Sequence, residues 1–157
     1  MCSWLPGLVK LDDYQGDWTQ YVEAIHSIFT TDFVNSAPSF RERRVGLKKH
    51  PMEKGKEATF WHLISAGASE ADREIDLRRC ERIRWPRPVV EADGRSEVCC
   101  WLTHRKGEPR YVIALDDFSY IVVLAVRKCY LVLWTAYCVE YDHQRRKLLK
   151  QYESTLK

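Results

Sequence analysis

Residues 110–140, RYVIALDDFSYIVVLAVRKCYLVLWTAYCVE, constrain the fold more tightly than any other stretch. Segments 112–116, 120–127 and 130–139 are dense in Val, Ile, Leu, Tyr and Trp, which suit a pleated, largely buried surface. Asp116-Asp117-Phe118-Ser119 reads as a polar turn, and Arg127-Lys128-Cys129 leaves room only for a tight hairpin. Strands joined so closely must be antiparallel neighbours. Residues 97–106, EVCCWLTHRK, closed by Gly107-Glu108-Pro109, supply one more strand ahead of them. The expectation is an α+β domain covering all 157 residues. N-terminal helices pack on a C-terminal four-stranded antiparallel meander, and a Lys- and Arg-rich helix over 141–156 closes it.

The runs IVVLAV and YLVLW are apolar at both parities, so the last two strands are expected to be buried on both faces. Polar residues stand out against that background. Thr135 and Tyr137, in WTAYCVE, share one face near the end of the last strand. A hydroxyl bonded to a neighbour and a partly exposed aromatic ring is the plain reading of that pair.

Upstream, Asp17 is a good N-cap with Gln20 three residues on, and Trp18, Tyr21, Val22, Ile25, Ile28, Phe29 and Phe33 follow at helical spacing. His26 lies beside this stripe and reads as a surface residue. Residues 40–49 alternate loosely, as in a charged edge strand. GKEATFWHLISAG, residues 55–67, predicts a helix of two to three turns ended by Gly67. On it His62 shares a face with Thr59, Ser65 and Ala66, small neighbours that leave an imidazole reachable; Lys56 and Glu57 stand at its entrance. Ser69-Glu70-Ala71-Asp72 carries a second capping signal for a surface helix. In Arg82-Ile83-Arg84-Trp85-Pro86, the pre-proline Trp85 predicts extended backbone. Arg82 and Arg84 would then lie side by side on the outward face, spaced for two phosphates or an acidic partner. Salt bridges to Glu74 or Glu81 are the competing use of those charges. Residues 87–96 read as a connector into the meander.

The net charge is only +3, but its distribution is uneven. Residues 1–40 carry one Lys against five Asp or Glu, whereas residues 41–56 carry seven Lys or Arg against two Glu. Residues 73–87 add six Arg against three acids. Two basic segments in a nearly neutral chain point to a surface for phosphates, with Lys48, Lys49, Arg79 and Arg87 as candidate RNA-binding residues. A solvated charged face is the alternative. The six cysteines form no CxxC pair, and Cys138 with His143 has no second ligand pair at zinc spacing, so reduced thiols and no metal are expected. The N-terminal residues lack the basic and apolar regions of a signal peptide, no segment is long enough to span a membrane, and a cytoplasmic protein is expected. Glycine-rich phosphate loops, GxSxG and HExxH do not occur.

Three segments carry a resemblance: GKEATFWHL (55–63), RCERIRWPR (79–87) and WTAY (134–137). Helices followed by an antiparallel meander with a basic approach resemble the metal-independent nuclease superfamily of barnase, EndoU, colicin tRNases and RelE toxins, its phage and mobile-element branch above all. The resemblance implies a toxin-like endoribonuclease without cofactors, acting on RNA and open to a neutralising protein of antitoxin or immunity type. By the same resemblance the catalytic set would be His62, Arg82 or Arg84, and Thr135 with Tyr137. The chemistry is coherent in its own right. Metal-free cleavage needs a base for the 2′-hydroxyl, an acid for the leaving oxygen and a cation for the phosphorane. A histidine can take either proton role, and Lys56 is a substitute for it. The alternative is a non-catalytic module that binds RNA or a protein through the same basic surface.

Overall fold

A computed structural model describes residues 4–157. Strands β5 (Val98–Arg105), β6 (Glu108–Leu115), β7 (Tyr120–Val126) and β8 (Leu131–Cys138) pair antiparallel in chain order, as their short turns require. The sheet does not stop there. Two short strands, β1 (Ser39–Phe40) and β2 (Arg43–Gly46), extend it to six in the order β1-β2-β8-β7-β6-β5. Strand β2 runs parallel to β8, with Val45 beside Leu131. The expected four-stranded antiparallel meander is therefore corrected to a mixed six-stranded sheet within the α+β class. The physical reason is that the outer side of β8 would otherwise leave backbone groups of an apolar strand unpaired. Residues 43–46 are thus interior to the sheet, and β1 takes the edge.

One face of the sheet, with Val122, Leu124, Leu131 and Leu133, joins the main core. Helix α1 (Trp18–Phe29) contributes Tyr21, Val22, Ile25 and Phe29 to the same core, and the Asp17 side chain accepts from the Gln20 amide as its sequence predicts. A π-helical turn, Thr30–Val34, continues the helix and buries Phe33. The other face carries a smaller cluster of Trp101, Val112, Ala114, Ile121 and Val123. Helix α5 (Asp142–Ser154) packs on it through Leu148 and Tyr152. This explains why the last strands are apolar at both parities. Among the described residues no helix is long and apolar enough to cross a membrane.

The segment between β2 and β5 departs most from expectation. Helix α2 (Ala58–Leu63) ends at Ile64 rather than Gly67, because Ser65–Ala66 form strand β3 and pair with β4 (Glu74–Ile75). The helix expected from Ser69 is a single 3-10 turn, Glu70–Asp72. The effective cap is Asp76, whose carboxylate accepts from the Arg78 and Arg79 amides and opens α3 (Leu77–Glu81). The expected extended reading of Arg82–Trp85 is also corrected. Trp85 is helical (φ −81°, ψ −37°) and serves as N-cap of α4 (Pro86–Glu91), inside what reads as a connector. Its indole donates to the Pro6 carbonyl at 2.9 Å and meets the Tyr120 ring edge-on at 5.1 Å, contacts that outweigh the pre-proline bias. His26 is likewise no surface residue. Its Nε2 lies 2.8 Å from Glu57 Oε1 and its ring meets Phe60 edge-on at 4.8 Å.

Gly67 explains the tightness of the β3–β4 hairpin. A Cβ there would stand 2.7 Å from the Asp72 carbonyl oxygen and 2.8 Å from Arg73 Cα, both backbone atoms. Gly67→Ala is expected to pry the hairpin open and destabilise the protein by about 1–3 kcal/mol, the usual cost of overpacking. Urea unfolding measures it, and an unchanged midpoint would show that the two strands do not approach this closely.

Candidate active site and nucleic-acid interface

The bulge in β8 builds the site. Val123 pairs with Thr135 but the next residue, Leu124, pairs with Leu133, so Trp134 is the extra residue. A bulge of this kind re-aims side chains. Leu133 and Ala136 stay in the main core, while Trp134 and Tyr137 join the smaller cluster. Thr135 ends a row that runs Trp101, Val112, Val123, Thr135 across the last strands, and Tyr137 ends the neighbouring row through Ala114 and Ile121. The two hydroxyl residues share a face, as their sequence spacing predicts.

That face is an open groove of about 770 Å³ where α5 does not cover it. Its walls include His62, Thr135 and Tyr137, with Arg73, Arg79, Arg105, Lys106, Arg110 and Lys147 against Glu70 and Glu108. Such an excess of cations in a concave surface attracts polyanions. Part of the excess is neutralised locally: Glu108 bonds both Arg110 and Arg127, and the two cations hold its carboxyl below the usual range. The Arg110 guanidinium lies 4.6 Å from the centre of the Trp134 ring.

His62 sits at the end of α2, half-buried, its ring 5.9 Å from that of Trp134. Burial pulls its pKa down, with Arg73 the next cause. Glu70 and the Trp134 backbone act in the opposite sense but are outweighed. Its Nδ1 is buried with no hydrogen-bond partner among the described residues. Burial and the neighbouring guanidinium thus both favour the neutral imidazole, the form a general base requires.

Two guanidiniums meet the end of the same helix. Arg73 donates to the carbonyls of His62 (2.9 Å) and Ser65 (2.5 Å) and to Ser65 Oγ (3.0 Å). Arg79 donates to the Ser65 carbonyl at 2.6 Å and to Thr135 Oγ1 at 3.2 Å, and lies 5.2 Å from the centre of the Tyr137 ring. Cations at a helix C-terminus satisfy free carbonyls and oppose the dipole. They also fix positive charge beside His62. The nearest carboxylate oxygen to Arg79 is that of Asp76, at 3.8 Å, and its Nε is buried without a hydrogen bond. Burial lowers the pKa of both arginines and raises that of Tyr137, whose phenol stays protonated at neutral pH.

The remaining sequence-derived candidates separate. Arg82 donates to the Arg78 carbonyl at 3.1 Å and lies 5.0 Å from the Trp85 ring centre, and Arg84 is exposed at a separate depression beside Asp32 and Arg87. Neither lines the groove, and they do not lie side by side on an extended strand. Arg87 pins α4 to the end of α1 by donating to the Asp32 carbonyl (2.6 Å) and Ser36 Oγ (2.7 Å). Lys56 is 8% exposed, pairs with Glu23 at 2.5 Å and does not line the groove. Lys48 lines a second cavity that shares His62, Glu70, Arg73 and Trp134 with the groove, while the exposed Lys49 lines neither. Sequence reasoning missed Arg73, which stood in the basic segment 73–87 but carried no motif. Cys80 and Cys100 are free thiols pushed up to about 12 by burial, hence unreactive. Among the described residues no three His, Cys, Asp or Glu side chains gather as a metal site. No family model, curated protein or solved structure matches the chain.

Proposed function

We propose that the chain is a metal-independent endoribonuclease whose groove holds single-stranded RNA and whose base is His62. The observation that carries this reading is the half-buried His62 lining one cationic groove with Arg73, Arg79, Thr135 and Tyr137, both guanidiniums being fixed by carbonyls at the end of its helix. His62 takes the proton of a 2′-hydroxyl, and that oxygen attacks the adjacent phosphorus. Arg79 and Arg73 offset the charge that builds on the phosphorane oxygens, and the Thr135 hydroxyl, which accepts from Arg79, donates its own proton to one of them. Tyr137 gives its proton to the departing 5′-oxygen. The products are a 2′,3′-cyclic phosphate and a 5′-hydroxyl, and His62 and Tyr137 return to their starting states by passing one proton through water. In this arrangement His62 is base rather than acid, because its pKa is lowered while that of Tyr137 is raised.

A toxin-like role fits the open cationic groove, and its neutralising partner would be an acidic protein surface seated on that groove. The test is turnover. Purified protein is expected to cut end-labelled RNA equally well with and without a chelator, leaving cyclic phosphate termini. Intact RNA under both conditions overturns the reading in favour of a non-catalytic RNA-binding groove, which the same cations support.

A further inference from the structure

Strand β5 is the open side of the sheet. It stands last in the order β1-β2-β8-β7-β6-β5, so only β6 pairs with it. The opposite edge is blunt, because β1 has two residues and is followed at once by Arg41 and Glu42. Strand β5 has eight residues, and its register with β6 runs from Val98 opposite Leu115 to Arg105 opposite Glu108 without a bulge. No proline interrupts it, and residues 98–103 carry no charge. The Asp116 amide donates to the Glu97 carbonyl at 2.9 Å, which fixes the phase of the ladder. Odd-numbered residues of β5 therefore turn their backbone groups toward β6. Cys100, Leu102 and His104 turn theirs outward, where they find no partner among the described residues. Leu102 is also 43% exposed. A long, flat edge with an uncharged centre is a template for another strand.

We infer that β5 pairs antiparallel with β5 of a second copy of this chain, giving a two-fold dimer with one continuous sheet. Charge selects both the occupant and the register. The segment is acidic where it starts, at Glu97, and basic where it ends, at Arg105 and Lys106. Set antiparallel about Trp101, it is its own complement, with Glu97 opposite the second copy's Arg105 at both ends. In that register Cys100 exchanges backbone hydrogen bonds with the second copy's Leu102, which satisfies the outward groups. Arg105 is exposed and makes no ion pair or hydrogen bond among the described residues. Glu97 accepts from its own Arg95 at 2.7 Å and gains a second cation in the dimer. Residues opposite one another across strands share a face. Thr103 and Arg105 line the groove, so the grooves of the two copies open on the same side. The pairing stands whether or not the groove cuts RNA.

The test is sedimentation equilibrium of the full chain across micromolar concentrations, where the parent is expected to show the mass of two chains. Leu102→Pro removes an outward amide that β6 does not use and blocks the addition of a strand. It should give a monomer with the circular dichroism of the parent. Glu97→Arg and Arg105→Glu each set like charges opposite one another at both ends of the pair. Each should raise the dimer dissociation constant about tenfold, and the two combined should restore it. These surface reversals decide the matter should Leu102→Pro not fold. A parent that stays monomeric throughout overturns the pairing. So does a dimer that survives a folded Leu102→Pro, or one indifferent to the single charge reversals.

Discussion

His62→Ala is expected to slow RNA cleavage by about two orders of magnitude or more, the usual scale for removing a general base. Folding should persist, because the ring is half-buried at the junction of two cavities and its Nδ1 holds nothing together. Stability should change by no more than about 1 kcal/mol, a typical point-mutation effect. RNA should still bind, since the groove keeps its cations. The pH profile of the parent carries the sharper test. A base must be neutral, so cleavage rises with pH through the titration of His62. Burial lowers that pKa from its ordinary 6.5, so the rising limb should lie below 6.5. At the other end the rate should hold until Tyr137 loses its proton, above the ordinary phenol value of 10.0. Loss of the acidic limb in His62→Ala, with binding intact, assigns the limb to this ring. A rate that survives the substitution would remove His62 from the chemistry and leave the groove as a binding surface.

Phe60→Ala should be the most damaging single change to the fold. Phe60 is 0% exposed and sits where α2 packs on α1. Its ring centre lies 5.6 Å from that of Phe29 in α1, 4.8 Å from His26 and 5.3 Å from Trp61. Truncating such a residue costs about 3–5 kcal/mol in lost transfer energy and cavity formation. That is a large share of the 5–15 kcal/mol typical of a domain's whole stability. The loss should appear as a lower urea midpoint with an unchanged slope. Phe60→Leu, closer in volume, should cost less than half as much. The site would suffer with the fold, because α2 carries His62 two residues beyond Phe60 and the His26–Glu57 contact closes over the same ring. A midpoint shift under about 1 kcal/mol for Phe60→Ala would mean that the cluster relaxes to fill the space, and that α2 is anchored by its arginine caps instead.

What the sequence determined by itself is what depends on neighbours in the chain. Asp17 caps α1 because its carboxylate needs only the amide three residues on. The helix buries Tyr21, Val22, Ile25 and Phe29 because they recur on one side of a 3.6-residue turn. Strands β5 to β8 lie in chain order because their connections are too short for anything else. Thr135 and Tyr137 share a face because strands alternate, and the bulge at Trp134 lies just before the pair. The helical face expected around His62 is not the one that forms, because Ser65 and Ala66 belong to β3 and only Thr59 shares its helix.

The rest depends on partners distant in the chain. Strand β2 finds β8 across more than eighty residues of chain, and no local pattern encodes a parallel pairing. Trp85 turns helical against its local bias because Pro6 and Tyr120 hold its indole. His26 leaves the surface because Glu57 and Phe60 come to meet it. The arginines beside His62 are Arg73 and Arg79 rather than Arg82 and Arg84 for the same kind of reason. Guanidiniums settle where carbonyls need donors, and those carbonyls, on His62 and Ser65, gather only once α2 has ended and β3 has paired with β4.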